Sequence, residues 1–212
     1  MAPDSMAAGH PTAALLTPPA EVTRLNFQAL WKNTPVGSYI FVITPAADGN
    51  GMTVSHAFVI RVKIAFVTMF RYEHRVEETW RAGRLHELTA ETIDADGTIN
   101  VRAQRTGGAI AIEGPNGRAT APPTLLTTTC AWHPAFIAQN RVLDVSDGGI
   151  VALAVNALGA ASLVIEGDEI ETEHYAFTSP YLAGELWYRP GSTLVRAEIE
   201  KKGHRIVLVA HP

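Results

Sequence analysis

The sequence predicts an all-β protein: a single, strongly curved antiparallel sheet, half-barrel or barrel-like, with one short helix or loop segment over its open side. Three observations predict it. Turn signals recur at hairpin spacing, among them Asp48-Gly49-Asn50-Gly51, Asp94-Ala95-Asp96-Gly97, Thr106-Gly107-Gly108 and Gly114-Pro115-Asn116-Gly117. The text between them alternates apolar and polar residues with period two, and no segment sustains the 3.6-residue apolar period of a long helix. The pattern breaks over residues 118–140, where Pro122-Pro123, Thr127-Thr128-Thr129 and His133-Pro134 read as a loop.

The elements follow in order. Residues 22–32 and 37–44 read as strands around a hairpin loop at Asn33-Thr34-Pro35-Val36. Residues 52–80 are too long for one strand, so a bulge or corner is expected within 63–68. Strands at 84–93, 98–105 and 109–113 continue the meander. A short helix is expected to start at Pro134, because proline suits a first helical position. Strands resume at Val142, then at 150–158, 162–165, 169–178, 184–189, 193–201 and 204–210, the last two joined at Lys202-Gly203. At least ten strands are expected, with under about a tenth of the chain helical.

Residues 1–21, rich in Ala, Pro, Gly and Ser, read as a flexible arm, and residues 22–212 as a single β domain. The arm has neither the positive start nor the unbroken apolar stretch of a signal peptide. On these residues alone the protein reads as cytoplasmic, or as one whose leader has been replaced.

Composition narrows the function classes. The chain has 212 residues, 47% hydrophobic and 18% charged, with a net charge of −4. That supplies a real core. It shows no basic stripe for nucleic acid and no polybasic cluster for a membrane surface. No run of about 18 apolar residues marks a membrane-spanning helix. One cysteine, Cys130, allows neither an internal disulfide nor a cysteine-based metal site. The eight histidines are scattered without ligand spacing, so no metal is expected. The Gly107-Gly108 and Gly148-Gly149 pairs belong to turns and fit no phosphate cradle, so no cofactor is expected either.

Residues 70–80 are the most informative strand. Period two puts Phe70, Tyr72, His74, Val76, Glu78 and Trp80 on one face, and Arg71, Glu73, Arg75, Glu77 and Thr79 on the other. The second face should be solvated, with charges paired across strands. The first should point inward, where His74 and Glu78 cost free energy unless they find partners. At i and i+4 on a strand they lie roughly 13 Å apart, so each must meet groups from neighbouring strands.

The order of landmarks carries a resemblance. Phe70-Arg71-Tyr72-Glu73-His74-Arg75 runs into Glu78-Thr79-Trp80-Arg81-Ala82-Gly83-Arg84-Leu85, and Ile93-Asp94-Ala95-Asp96-Gly97 follows. Trp132-His133-Pro134 precedes Leu143-Asp144 and Gly148-Gly149, and Glu185-Leu186-Trp187-Tyr188 lies near the end. Over residues 25–210 this resembles a bacterial family of unknown function, usually exported and β-rich. Its pattern is Tyr-Arg-Tyr, Glu-x-Trp-x-x-Gly-x-Leu, a Trp-Asn-Pro after a Ser/Thr-rich loop, and a late Leu-Trp-Tyr. The chain departs from it at Phe70, where Tyr is expected, and at His133, where Asn is expected. The resemblance implies a periplasmic or otherwise exported location. By analogy of fold it also implies a carrier of apolar ligands.

Three functions are open. The first is a binding or carrier protein for an apolar or amphipathic small molecule held in the sheet's concavity, with Tyr72, Trp80, Trp132, Trp187 and Tyr188 as ligand-binding candidates. The second is a cofactor-independent lyase, isomerase or hydrolase that uses His74, Glu78 and His133 as acid and base. The third is a structural envelope protein with a filled core. Cys130 with His133 could form a nucleophile and base, but a lone cysteine reads first as a small buried apolar group.

Overall fold

Alternation of side chains makes the strands, and short turns set their order. In the computed structural model, which describes residues 16–64, 67–201 and 203–211, the first eight strands form a meander. They are β1 (Thr23–Trp31), β2 (Thr34–Pro45), β3 (Gly51–Ile64), β4 (Val67–Arg81), β5 (Arg84–Asp94), β6 (Gly97–Thr106), β7 (Ala109–Gly114) and β8 (Gly117–Ala121). The chain then leaves this sheet through two 3-10 turns, Thr128–Trp132 and Pro134–Ala138, and a two-stranded ribbon of β9 (Arg141–Leu143) and β10 (Ile150–Ala152). A second meander follows, with β11 (Ala154–Ile165), β12 (Asp168–Thr178), β13 (Ala183–Tyr188), β14 (Leu194–Lys201) and β15 (His204–Ala210).

The last strand returns to the first. β15 pairs antiparallel with β1, Leu208 opposite Ala29. Among the described residues this joins the two meanders into one sheet of thirteen strands, in the order β11-β12-β13-β14-β15-β1-β2-β3-β4-β5-β6-β7-β8. The sheet curves without closing, so β8 and β11 remain as edges. No helix among the described residues is long and apolar enough to cross a membrane.

The expected fold class is the one observed, with several local differences. The first hairpin turns on two residues, Lys32 and Asn33, both at positive φ (50° and 63°). That is the twist-compatible two-residue connection, and it frees residues 34–36 to extend β2 instead of forming a loop. β8 occupies the start of the stretch read as irregular, while β9 and β10 fall where strands were expected to resume, at Val142 and at 150–158. One strand, β11, spans 154–165 with a register shift between Ala157 and Gly159, where two strands were expected. The expected helix at Pro134 is a single 3-10 turn with proline near its start. Near the expected corner, β3 and β4 shift register between Val62 and Lys63; residues 65 and 66 lie outside the described residues. So do residues 1–15 of the expected arm, whereas Leu16, also assigned to the arm, is 2% exposed and belongs to the core.

Rows of paired residues cross the inner face. One runs Phe27–Tyr39–Phe58–His74–Thr92–Ile99, and the next Leu25–Phe41–His56–Val76–Ala90–Val101. A third holds Ile43–Val54–Glu78–Leu88–Ala103. Strands alternate faces, so these rows hold most of the buried apolar residues of the first meander. On the second meander the inner row reads Tyr175–Leu186–Ala197–Leu208.

Curvature brings both arms of the sheet onto the segment between them. Thr129 of that segment bonds Glu78 on β4, while the Tyr188 hydroxyl on β13 donates to the Ala131 carbonyl at 2.8 Å. Phe136 packs edge-on against Phe177 of β12, with ring centres 6.5 Å apart. The segment therefore fills one end of the concave face.

Candidate functional site

The two faces of β4 separate largely as alternation demands. His74, Val76, Glu78 and Trp80 are buried and Tyr72 is half-buried, while Arg71, Arg75 and Glu77 are exposed. Glu73 departs from the expectation that its whole face is solvated: it is only 4% exposed. Arg61, Arg71 and Arg75 approach its carboxylate at 2.7, 3.0 and 3.6 Å and cover it with their side chains. The hydrogen bond from Arg61, followed by those from Arg71, holds its pKa below the ordinary glutamate value against the opposing effect of burial.

Glu78, 1% exposed, is the centre of a buried polar network. The Trp80 indole donates to one carboxylate oxygen at 2.9 Å, and the Thr129 hydroxyl donates to the other at 2.5 Å. Thr127 extends the chain, 2.7 Å from the Thr129 hydroxyl and 3.1 Å from the Cys130 sulfur. Thr129, Thr127 and Trp80, which bond Glu78, are all uncharged. Burial raises its pKa, and the hydrogen bonds from Thr129, Thr127 and Trp80 only partly offset that. The network fastens the covering segment to the sheet. Cys130 is 0% exposed and its thiol pKa is pushed well up, first by burial and then by the Glu78 charge. A buried thiol of raised pKa is a poor nucleophile.

His74 lies in the neighbouring row. Its Nδ1 is 2.8 Å from the Thr92 hydroxyl, and its ring centre is 5.8 Å from that of His56. Around the two imidazoles runs a wall of rings. Tyr39 stands 4.3 Å from Phe41 and 4.8 Å from Phe58, and Phe58 stands 5.8 Å from Tyr72. Tyr72 in turn lies 6.2 Å from His74. Such spacings suit tilted and edge-on aromatic packing. Phe41 and His56 are buried, whereas Tyr39, Phe58 and Tyr72 are only half-buried. Further along β4, Phe70 is 46% exposed. Burial raises the hydroxyl pKa of both Tyr39 and Tyr72.

The remaining predicted residues are dispersed. His133 caps the second 3-10 turn, its Nδ1 accepting from the Ala135 N–H at 3.0 Å; burial lowers its pKa. Trp80 and Tyr188 are 1% and 0% exposed and belong to the packed core. Trp132 is buried beside the cap, 5.2 Å from the His133 ring, and its indole N–H has no partner. Trp187 was expected beside Tyr188 in the concavity, and this is corrected. It pairs with His174 and Arg196 in the row opposite to that of Leu186, stacked 4.3 Å from the His174 ring on the outer face. The sequence reading missed Tyr39, Phe58, His56, Thr127 and Thr129. The period-two pattern of residues 37–44 and 52–60 marks the first three as inward, but their meeting with β4 depends on strand order.

No three His, Cys, Asp or Glu side chains converge as a metal-binding group among the described residues. Two surface grooves are present among the described residues, and neither is lined by Tyr39, Phe58 or Tyr72. One crosses β2 to β6 and combines charged and polar residues such as Arg75, Glu91, Asn100 and Arg102 with His56, Val76 and Val101, and the other crosses β12 to β15 and includes Glu185, Glu198 and Arg205.

Residues 27–211 match a family described as a domain of unknown function, DUF6134. No curated protein matches the chain. Among solved structures, the crystal structure of a beta-barrel-like protein of domain of unknown function DUF1849 from Brucella abortus is similar, with a TM-score of 0.62 at 11% sequence identity. The likeness covers 90% of this chain and 96% of that one. At that identity it shows the fold alone.

Proposed function

The chain belongs to the DUF6134 family, whose function is unknown, and from the geometry of its inner face we propose that it binds or carries an apolar or amphipathic small molecule against the aromatic wall. One observation carries the reading. Tyr39, Phe58 and Tyr72 form a continuous aromatic surface that stays half-buried on a concave face. The segment that closes the Glu78 end leaves these rings partly open. Concave apolar surfaces with a few polar groups at one side are the usual setting of small-molecule sites, and contiguous exposed apolar patches mark binding surfaces.

The acid–base reading has less support. Both Glu78 oxygens are bonded inside the core, and His133 Nδ1 is committed to a cap. His74 pairs with Thr92 in a different row from Glu78. The barrel-like neighbour agrees with a curved sheet and brings no activity with it.

A titration with the apolar fluorophore N-phenyl-1-naphthylamine tests the proposal. The expected result is saturable binding by the wild type that weakens at least about tenfold in Phe58→Asp, which places a charge within the wall. Unchanged binding by a Phe58→Asp protein of native circular dichroism would overturn it. In the same reading the protein works outside the cytoplasm, as the sequence resemblance implies. Fractionation of source cells should find it in the envelope compartment; a solely cytoplasmic pool would contradict that.

A further inference from the structure

We infer that His56 is the polar contact for the bound molecule, and that it recognises a neutral head group able both to donate and to accept a hydrogen bond, such as a hydroxyl. The inference rests on the binding function proposed above and specifies the chemistry of its ligand.

His56 lies on β3 in the row Phe41–His56–Val76, one row deeper than Tyr39–Phe58–His74. It is 4% exposed. Its ring centre is 5.3 Å from Phe41, 5.5 Å from Tyr39 and 5.8 Å from His74. Neither ring nitrogen has a hydrogen-bond partner. Burying unpaired polar atoms is costly. A phenylalanine would fill the same slot between Phe41 and Tyr39 without that cost. The imidazole is therefore worse for the fold than the obvious alternative, and a ligand atom is what its nitrogens lack.

The chemistry of the surroundings selects the head group. A neutral imidazole presents one N–H donor and one nitrogen acceptor. Burial, and then the neighbouring His74, keep His56 well below the ordinary histidine pKa, which favours that neutral form. The three inner rows from Phe27 to Ile99, Leu25 to Val101 and Ile43 to Ala103 contain no lysine or arginine, so an anionic head would meet no fixed cation there. The carboxylate in those rows, Glu78, already accepts from Trp80 and Thr129, which leaves it poorly placed to hold a cationic head. A hydroxyl can donate to the acceptor nitrogen, which an ether cannot, and it adds no charge. The tail would then lie along Tyr39, Phe58 and Tyr72, and entry of the head requires the Tyr39 ring to turn aside.

Displacement of N-phenyl-1-naphthylamine by 1-decanol and by its methyl ether tests the inference. The two compounds share a chain, but the ether has lost the donor. Wild type should bind the alcohol about tenfold more tightly than the ether, the scale of one buried hydrogen bond. His56→Phe should bind the two equally and melt at a higher temperature, and His56→Gln, which keeps a donor and an acceptor, should recover part of the preference. Wild type without a preference, or a preference that survives in His56→Phe, overturns the inference and leaves the binding function standing. Binding of neither compound nor the fluorophore by any of these proteins overturns both.

Discussion

Glu78 is a carboxylate placed where an apolar residue would be easier to bury, and its partners show what it does for the fold. It ties Trp80 and Thr129 together and so anchors the covering segment. Because burial raises its folded-state pKa above the unfolded value, its contribution to stability is fully present below the unfolded carboxylate pKa and is lost as pH rises through the folded one. Glu78→Gln should therefore lose this pH dependence. Its melting temperature should gain on wild type as pH rises from about 4 to 8, and parallel melting curves across that range would refute the assignment. His56 has the opposite sign. Its pKa is lowered, so the stability associated with its neutral form is present above the unfolded histidine pKa and is lost as pH falls below it. His56→Phe should remove that acid sensitivity, which thermal melts between about pH 7 and pH 5 would reveal.

At the scale of the strand, close approach of neighbours decides what substitutions are tolerated. A Cβ built on Gly37 of β2 would overlap the Val59 carbonyl oxygen on β3. That atom is backbone, so the two strands would have to part. Gly37→Ala should cost about 3 kcal/mol or prevent folding, at the upper end of what overpacking does; urea unfolding within 0.5 kcal/mol of wild type, roughly the scatter of a surface change, would contradict it. Leu16 is buried in the core ahead of β1, and Leu16→Ala should lower stability by about 2–4 kcal/mol in the same measurement. A change near zero would mean that its burial contributes nothing to the fold.

Much of this scale was legible in the sequence. Period two correctly turned His74 and Glu78 inward, and Gly-rich turns marked most hairpins. The same rule bears on Trp187 and Tyr188, since consecutive residues on a strand cannot share a face; grouping them as one ligand platform overlooked it. β8 escaped because Gly117–Ala121 is five residues long and abuts Pro122-Pro123. Glu73 escaped for another reason: it is covered by Arg61 from the neighbouring strand as well as by Arg71 and Arg75 of its own.

The whole molecule depends on pairings that no local pattern announces. The last strand meets the first where β15 joins β1, and two meanders become one open, curved sheet. Predicting that sheet required only strands, turns and an apolar face; predicting its order required a contact between residues nearly 180 positions apart, such as Ala29 and Leu208. The aromatic wall is likewise assembled from β2, β3 and β4, so Tyr72 could be selected from its own strand while Tyr39, Phe58 and His56 could not be placed beside it. Curvature then lets one segment brace both arms at Glu78 and Tyr188, which leaves the half-buried rings as the open part of the concave face. The most direct test of the binding function is native mass spectrometry of protein purified from its source, compared with the same sample under denaturing conditions. Wild type should retain a small molecule with an apolar chain and a neutral hydroxyl-type head, which is released on denaturation and depleted in Phe58→Asp. The bare polypeptide mass in every native spectrum, or an adduct retained equally by Phe58→Asp, would contradict it.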